Sequence, residues 1–282
     1  MDMKIIDFRL RPPVSGFLNA RHYMKPETRD RNTRMLGFEP APSASKKSID
    51  LLLQEMDEAG ITLGVIVGRN TAALGSFRNA EVAEVARSYP GRFVPVGSIE
   101  ASDRKDAMRQ ITEARAMGMK MFNLEPGAFA WPMHIDDRRL YPIYAYCEDN
   151  AIPVIVMSGG APGPDISYTA PVHIDRVLAD FPDLTVVASH GNWPWVQEII
   201  HVAYRRPNLY LSPDMYLYNL PGMDDYIRAA NGFMSDRFLF GTAYPVCPVK
   251  EYTTWFLKLP FKPAVMERIL YHNAARVLQL ST

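Results

Sequence analysis

The 282-residue chain carries 31 basic and 31 acidic residues, so its formal net charge at pH 7 is zero. This balance argues against a nucleic-acid-binding protein, which usually has a basic stripe, and no apolar run approaches the roughly 18 residues of a membrane span. The two cysteines, Cys147 and Cys247, have neither metal nor redox spacing, and the amino terminus does not look like a signal peptide. A reducing cytoplasm is therefore the expected compartment.

The first predicted strand, residues 4–10, runs into two arginines and two prolines in the sequence IIDFRLRPP. Because alternate residues of a strand face the same side, Asp7, Arg9 and Arg11 are predicted to share one face. A polar segment at about 12–46 follows and is predicted to be a long loop. In a compact domain such a loop usually has a functional role.

Helix-like and strand-like segments then alternate to the end of the chain. Ile49, Leu52 and Met56 have the spacing of an amphipathic helix, and the apolar run that follows them predicts the second strand. The predicted strands from the second to the eighth are ITLGVIVGRN, RFVPVGSIE, MKMFNLEPG, IPVIVMSGG, LTVVASHGNWP, NLYLSPDMY and RFLFGTAYP.

Eight strand–helix repeats in a chain of this length predict a single-domain (β/α)8 TIM barrel, an α/β fold, over residues 1–282. Short and mostly apolar strands are typical of a parallel sheet that is buried on both faces. An open doubly wound sheet is the alternative, but no G-x-G-x-x-G motif follows the first strand. In a barrel, the functional site lies at the carboxyl ends of the strands.

Polar side chains collect at those predicted strand ends. The candidates for a site are Arg9, Arg11, Arg69, Asn70, Glu125, His190, Trp193, Asp214 and Tyr244. Each type also has a purely structural interpretation. A buried arginine pairs with a carboxylate, a loop arginine is commonly solvated, and a histidine at a strand end is often only hydrogen-bonded.

Several segments, LYPIYAYCEDNAIPV, IPVIVMSGG, VVASHGNWPW and FLFGTAYP, resemble the amidohydrolase-related branch of the amidohydrolase superfamily. The resemblance runs from the first strand to the closing segment YHNAARVLQL. It implies a TIM barrel and a relationship to metal-dependent hydrolases and decarboxylases. The same branch includes 2-pyrone-4,6-dicarboxylate lactonase, which works without a metal.

The resemblance also implies where metal ligands would lie, and most of those positions have lost their ligand chemistry. The first strand of the family ends in Asp-x-His-x-His, and here Arg9 and Arg11 take the two histidine places. Met157 stands for the fifth-strand histidine and Ala243 for the eighth-strand aspartate, whereas the sixth-strand His190 is kept. Because a guanidinium has no lone pair and repels a cation, neither a metal nor another cofactor is expected.

These residues favour a metal-independent hydrolase that acts on a small anionic substrate, such as a lactone or a cyclic carboxylate. Arg9 and Arg11 would bind the carboxylate or a developing oxyanion. His190 would polarise the carbonyl or carry a proton, and Asp214 or Glu125 would activate water.

The remaining candidates, Arg69, Asn70, Trp193 and Tyr244, are expected to contact the substrate. Two alternatives stay open. The barrel could bind an anionic metabolite without turning it over, or a metal-dependent hydrolase or decarboxylase could use a displaced metal site. The expected partner is a small anionic molecule, with neither nucleic acid nor membrane, and a homo-oligomer is compatible with the sequence.

Overall fold

In the computed structural model, which describes residues 4–160 and 162–280, short apolar segments pair into a parallel sheet that follows chain order. The strands are β1 (Ile5–Leu10), β2 (Ile61–Val67), β3 (Asn70–Thr71), β4 (Gly75–Ser76), β5 (Phe93–Ser98), β6 (Phe122–Leu124), β7 (Val154–Met157), β8 (Val186–Ser189) and β9 (Leu209–Ser212). The sheet order is β1–β2–β5–β6–β7–β8–β9, and β3 and β4 form a small separate hairpin.

The predicted eighth strand closes the barrel but is irregular. On one side the backbone N–H of Leu239 donates to the carbonyl of Leu211 at 2.9 Å, and on the other the N–H of Phe8 donates to the carbonyl of Phe240 at 3.0 Å. The N–H of Phe240 donates to the carbonyl of Ile269 instead of to β1. Because one ladder bond is diverted in this way, the segment joins both neighbouring strands without forming a regular strand itself.

Helices follow the strands and cover the outside of the barrel. The α-helices of the described residues are α1 (Arg21–Met24), α2 (Pro26–Met35), α3 (Pro42–Lys46), α4 (Ile49–Glu58), α5 (Asn79–Ser88), α6 (Arg104–Ala116), α7 (Tyr141–Asp149), α8 (Val172–Asp180), α9 (Val196–Arg205), α10 (Met223–Ala230), α11 (Val249–Phe256), α12 (Pro263–Glu267) and α13 (Asn273–Val277). Among these, no helix is both long and apolar enough to span a membrane.

Two apolar clusters hold the barrel together. The larger one lies between the strands and the surrounding helices. The smaller one lies inside the barrel and takes side chains from six of the seven strands of the sheet and from Met121, which directly precedes β6; it includes Ile6, Phe8, Val65, Val67, Val96, Met121, Ile155, Val187, Tyr210 and Leu239. Residues of α13 and its flanks pack beneath this inner cluster at the amino-terminal ends of the strands. The opposite end is left for polar side chains.

The segment predicted to be a long loop is largely helical. Residues 15–46, here called the lid, contain a 3-10 turn and the helices α1, α2 and α3. Pro26 and Pro42 each stand in the first turn of a helix, where the missing N–H has no cost and the fixed φ angle favours the helix. The lid lies across the mouth of the barrel, since Tyr23 donates to the carbonyl of Arg11 at 2.7 Å and Thr33 to that of Val246 at 2.7 Å.

The predicted alternation along β1 holds only in part. Pairing with β2 is irregular between Asp7 and Leu10, and Phe8 faces the inner cluster whereas Leu10 joins the outer one. Asp7 turns to the eighth segment, where its carboxylate accepts the N–H and hydroxyl of Thr242 at 3.0 and 2.6 Å. The Asp7 carboxylate also accepts the backbone N–H of Arg9 at 3.0 Å, while the guanidinium of Arg9 reaches the mouth of the barrel.

We expect the closing helix to be anchored by Asn273, whose buried side-chain amide donates to the carbonyls of Ser235 and Phe238 at 3.1 and 2.9 Å. The change Asn273→Ala leaves both carbonyls without this donor, so it should lower the free energy of unfolding by about 2–4 kcal/mol in chemical denaturation. The matched control is Asn231→Ala, whose exposed amide donates to Pro260. An equal loss in the two variants would contradict the role of Asn273.

Candidate active site

The strand ends of β1, β2 and β6 converge on one buried carboxylate. Arg69 binds Glu125 through two parallel hydrogen bonds, Nε to Oε2 at 2.8 Å and Nη2 to Oε1 at 2.9 Å. Arg11 donates to the same Oε1 at 3.0 Å, and the guanidinium of Arg9 lies 3.7 Å from it. The three arginines and Glu125 are almost fully buried. One carboxylate thus organises three cations, which form the floor of the mouth.

Charge determines the protonation of this floor. Burial by itself would raise the pKa of Glu125, but the charges of Arg69, Arg11 and Arg9 outweigh it and hold that pKa well below its usual range. Burial lowers the pKa of Arg11 and of Arg9, although guanidiniums remain protonated in proteins. Glu125 is therefore an ionised counter-ion and a very weak base.

His190 and Asp214 form a second group beside this floor. The Nδ1 atom of His190 lies 2.9 Å from Oδ1 of Asp214, and its Nε2 atom lies 3.3 Å from Nη2 of Arg9. Because an arginine can only donate, Nε2 must accept and Nδ1 must carry the proton. Burial lowers the pKa of His190 against the opposing charge of Asp214. His190 is thus a neutral imidazole with its acceptor nitrogen turned toward the cations.

Three non-glycine residues at the strand ends have left-handed backbone conformations. The φ angles are +64° at His190, +45° at Asp214 and +59° at Ala243. Non-glycine residues adopt this region at a cost, and such residues concentrate at functional sites. The backbone at these positions turns sharply out of the strands and directs the side chains of His190 and Asp214 toward each other.

The mouth holds a cavity of about 270 Å³ between the floor and the lid. Its cationic lining residues are Arg9, Arg11, Arg21, Lys25, Arg29, Arg31 and Arg69. No aspartate or glutamate of residues 4–160 and 162–280 lines it, because Glu125 and Asp214 lie beneath the arginines. The cavity is near the lower size limit of small-molecule sites and suits a compact anion.

The candidates from the sequence are distributed unevenly around this cavity. Arg9, Arg11, Arg69, His190 and Tyr244 line it. The hydroxyl of Tyr244 lies 2.8 Å from Oγ of Ser43, which ties the end of the barrel to the lid.

Two candidates lie outside the cavity. The side chain of Asn70 accepts a hydrogen bond from Ser76 in the β3–β4 hairpin and lines a different surface depression. Trp193 stacks behind Tyr216 with ring centroids 5.3 Å apart, so Tyr216 separates it from the cavity. The structure thus gives Trp193 a supporting contact, and it leaves Asn70 away from the arginines.

Sequence reasoning gave the polar segment a functional role but missed its cationic side chains. Arg21 of α1, Arg31 of α2 and Lys25 between these helices line the cavity, and His22 lines it as well. Burial and the charges of Arg69 and Arg11 hold the pKa of His22 well below its usual range, so this ring is neutral too. The available signal for this cationic lining was the recurrence of basic residues along the polar segment at about 12–46. Without the helices, however, nothing showed which side chains would face inward.

The residues at the mouth do not suit a divalent metal ion. The donor set would need imidazoles and carboxylates, but Arg9 and Arg11 occupy two of the expected ligand places and the acceptor nitrogen of His190 meets Arg9. In the part of the chain that the structure describes, no group of three or more histidine, cysteine, aspartate or glutamate side chains is arranged to hold a metal.

The sequence model of the amidohydrolase family matches residues 6–280. The chain belongs to the amidohydrolase family. This confirms the resemblance seen in the sequence, and the fold agrees with it. None of the curated proteins matches the chain.

Solved structures extend the comparison of this amidohydrolase-family chain. An uncharacterized TIM-barrel protein from Bordetella bronchiseptica is 69% identical, with a TM-score of 0.97 and 98% of each chain covered. Dihydroxybenzoic acid decarboxylase from Polaromonas, solved with bound manganese, is 16% identical with a TM-score of 0.71, covering 99% of this chain and 97% of that one. 4-Oxalomesaconate hydratase from Rhodopseudomonas palustris is 18% identical with a TM-score of 0.66, covering 98% and 95%. The two distant likenesses establish the TIM-barrel fold alone.

The change Glu125→Gln should lower the free energy of unfolding by about 3–5 kcal/mol at pH 7, because it leaves three buried cations without their shared anion. Glu125 has a folded pKa below its usual value of 4.5. Its stabilising effect is therefore complete above pH 4.5 and is lost as the pH falls through the lower, folded pKa. Denaturation series from pH 3 to 8 would measure the difference between the two proteins.

Glu113→Gln is the matched control, since Glu113 pairs with Arg109 at the surface. Surface pairs contribute little, so this variant should unfold almost like the wild type at every pH. If Glu125→Gln were equally mild at pH 7, the three arginines would not depend on Glu125 for their burial.

Proposed function

We propose that this member of the amidohydrolase family is a metal-independent hydrolase that acts on a small anionic substrate, such as a lactone or a cyclic carboxylate. The observation that carries the proposal is the cationic floor of Arg9, Arg11 and Arg69 at the place where the family resemblance puts a metal. Arginines supply positive charge for a carboxylate or an oxyanion with no need for a bound cation.

The geometry of the floor supports anion binding by Arg9 and Arg11. The Nε atoms of both side chains are buried and have no hydrogen-bond partner in the described structure. Three guanidiniums share the charge of Glu125. The Nε atom of Arg9 also lies 3.7 Å from Oδ2 of Asp214, which is beyond hydrogen-bond distance. Unused donors in a low-dielectric pocket attract an anion strongly. Because both Nε atoms are buried, a substrate carboxylate would reach them once the guanidiniums turned toward the cavity.

His190 is the best candidate for moving a proton. In lactone hydrolysis, water attacks the carbonyl carbon, the water proton passes to Nε2 of His190, and the ring C–O bond breaks. The departing alkoxide then takes this proton back from Nε2, which yields a hydroxy acid and restores the neutral imidazole. For this role Nε2 must leave Arg9, which the arrival of a substrate anion on Arg9 would bring about.

The two carboxylates take supporting roles in this proposal. Asp214 orients His190 through Nδ1 and would stabilise the imidazolium that forms. Glu125 keeps the arginines in place and is too weak a base to activate water. Arg69 and Tyr244 would contact the substrate, Trp193 would support Tyr216, and the position of Asn70 gives it no part in the reaction.

The comparisons are compatible with an anionic substrate. The decarboxylase and the hydratase of similar fold are named for dihydroxybenzoic acid and 4-oxalomesaconate, which are acids. Their reactions differ from each other, so the barrel alone does not select the chemistry. The proposal therefore depends on the residues at the mouth.

A binding protein without turnover is the second candidate, and one observation favours it. The lone pair of His190 Nε2 already accepts a hydrogen bond from Arg9, and Ala243 stands where the family has an aspartate. A barrel with its base occupied could hold an anion firmly and leave it unchanged. Turnover distinguishes the two candidates.

A panel of lactone acids and cyclic carboxylates should contain a compound that the wild-type protein hydrolyses with a kcat/KM unaffected by chelator. Changing His190→Gln should lower kcat/KM by about 10²–10⁴-fold, the usual contribution of a general base. Because the pKa of His190 lies below its ordinary value, activity should fall only when the pH drops under the usual histidine range. The exposed His201→Gln is the control. Anion binding with no hydrolysis anywhere in the panel would favour the binding protein.

Separate substitutions test the floor by affinity. The changes Arg9→Met and Arg11→Met should each weaken the binding of small carboxylates by about 1.5–3 kcal/mol, roughly tenfold or more, since each removes one charge-assisted contact. Calorimetric titration measures the loss, and Arg109→Met, at an exposed pair far from the cavity, provides the control. Equal affinities in all four proteins would leave the arginines with a structural role only.

A further inference from the structure

The cavity has a second tier of positive charge on the lid. Arg21, Lys25 and Arg31 line it and are exposed, whereas Arg9 and Arg11 are buried. These three lid residues are here called the rim. The N–H of Arg21 donates to the carbonyl of Leu74 at 3.0 Å, so the start of the rim is fixed against the turn of the β3–β4 hairpin.

The rim cations have no carboxylate partner in the described structure, unlike Arg29 and Arg34 of the lid. Arg29, which also lines the cavity, is bound by Asp30 at 2.7 Å, and Arg34 pairs with Glu39 at 3.3 Å. No ion pair within 4 Å involves Arg21, Lys25 or Arg31 among residues 4–160 and 162–280. Their positive charge is therefore available to something inside the cavity.

The floor, unlike the rim, has carboxylates that neutralise most of its positive charge. Three guanidiniums meet two carboxylates, Glu125 and Asp214, so the floor keeps a formal charge of about one positive unit. One bound carboxylate neutralises it. A ligand with a single carboxylate on the floor leaves the three positive charges of the rim without a counter-charge. A ligand with one anionic group therefore matches only half of this cavity.

We propose that the ligand of this cavity carries two anionic groups, one bound by Arg9 and Arg11 on the floor and the other by the rim residues Arg21, Lys25 and Arg31. This rests on the proposed function, which it deepens by naming the substrate class as a compact dianion. The cavity volume of about 270 Å³ is roughly that of nine water molecules at liquid density, which admits a small dicarboxylate.

The two tiers should act differently because their surroundings differ. The floor is desolvated, so its hydrogen bonds to a carboxylate are strong and insensitive to salt. The rim is in contact with solvent, where ion pairs are weaker and are screened at a Debye length of about 8 Å in physiological salt. The floor therefore provides most of the affinity, and the rim selects ligands by their second charge.

Pairs of ligands that differ by one charge test this directly. Succinate, glutarate and phthalate would be titrated against the protein beside their monoamides, which keep the shape and lose one carboxylate. At low ionic strength, at least one diacid should bind the wild-type protein about fivefold or more tightly than its monoamide, and added salt should reduce this ratio.

The triple variant Arg21→Gln, Lys25→Gln, Arg31→Gln should lose the preference for the diacid and keep its affinity for the monoamide. Glutamine preserves the helix propensity at the two helical positions, 21 and 31. Arg34→Gln removes a positive charge from the same helix outside the cavity and should retain the preference. Circular dichroism of the triple variant verifies that the lid is folded.

Three results would overturn the inference: equal binding of diacid and monoamide by the wild type, an equal loss for both ligands in the triple variant, or no binding of any diacid. These outcomes are separate from the failure of the proposed function. A protein that prefers the dianion but hydrolyses no lactone acid would retain the two-tier site and lose the enzymatic role.

Discussion

The mouth of this barrel depends on the ion cluster around Glu125. Three arginines from or near the ends of β1 and β2 would repel one another in a buried space, and a single carboxylate after β6 makes their burial tolerable. The same cluster fixes the guanidinium of Arg9, which in turn occupies the acceptor nitrogen of His190. Arg9 thus couples the proposed anion binding to the protonation of His190. A ligand that attracts Arg9 alters the chemistry of His190 without touching it.

The lid encloses the cavity above the arginines at the mouth of the barrel. It is attached to the mouth by Tyr23, which hydrogen-bonds the backbone of Arg11, and by Thr33. Because these contacts are buried, they hold the lid close to the mouth even though the rim cations repel the net positive charge of the floor. The resulting cavity is enclosed by cations on two sides, which gives a physical reason for expecting a partner of opposite charge.

Much of this could be predicted from the sequence. Apolar segments of strand length, alternating with helices, were sufficient for the barrel, and the residues after the strands identified Arg9, Arg11, Arg69 and His190. The irregularity in β1 could not be predicted, because it arises from a backbone pairing that periodicity does not encode. The surroundings of the two carboxylates and the position of the rim residues could not be predicted either. Asp214 and Glu125 were expected to act on water, but their positions under neighbouring cations became visible only when distant strand ends were brought together.

The cluster at Glu125 also restricts how this chain could change over generations. At the places where the family resemblance puts metal ligands, metal binding would require histidines at positions 9 and 11 and ligands in place of Met157 and Ala243. Any one of these replacements alone gains no coordination site, and each loss of an arginine takes a partner from Glu125. The intermediates on such a route would combine weakened packing with no new activity. The arginine floor is therefore a state that is hard to leave by single substitutions, and the site is more easily modified through the lid, whose rim residues are exposed and carry little of the stability.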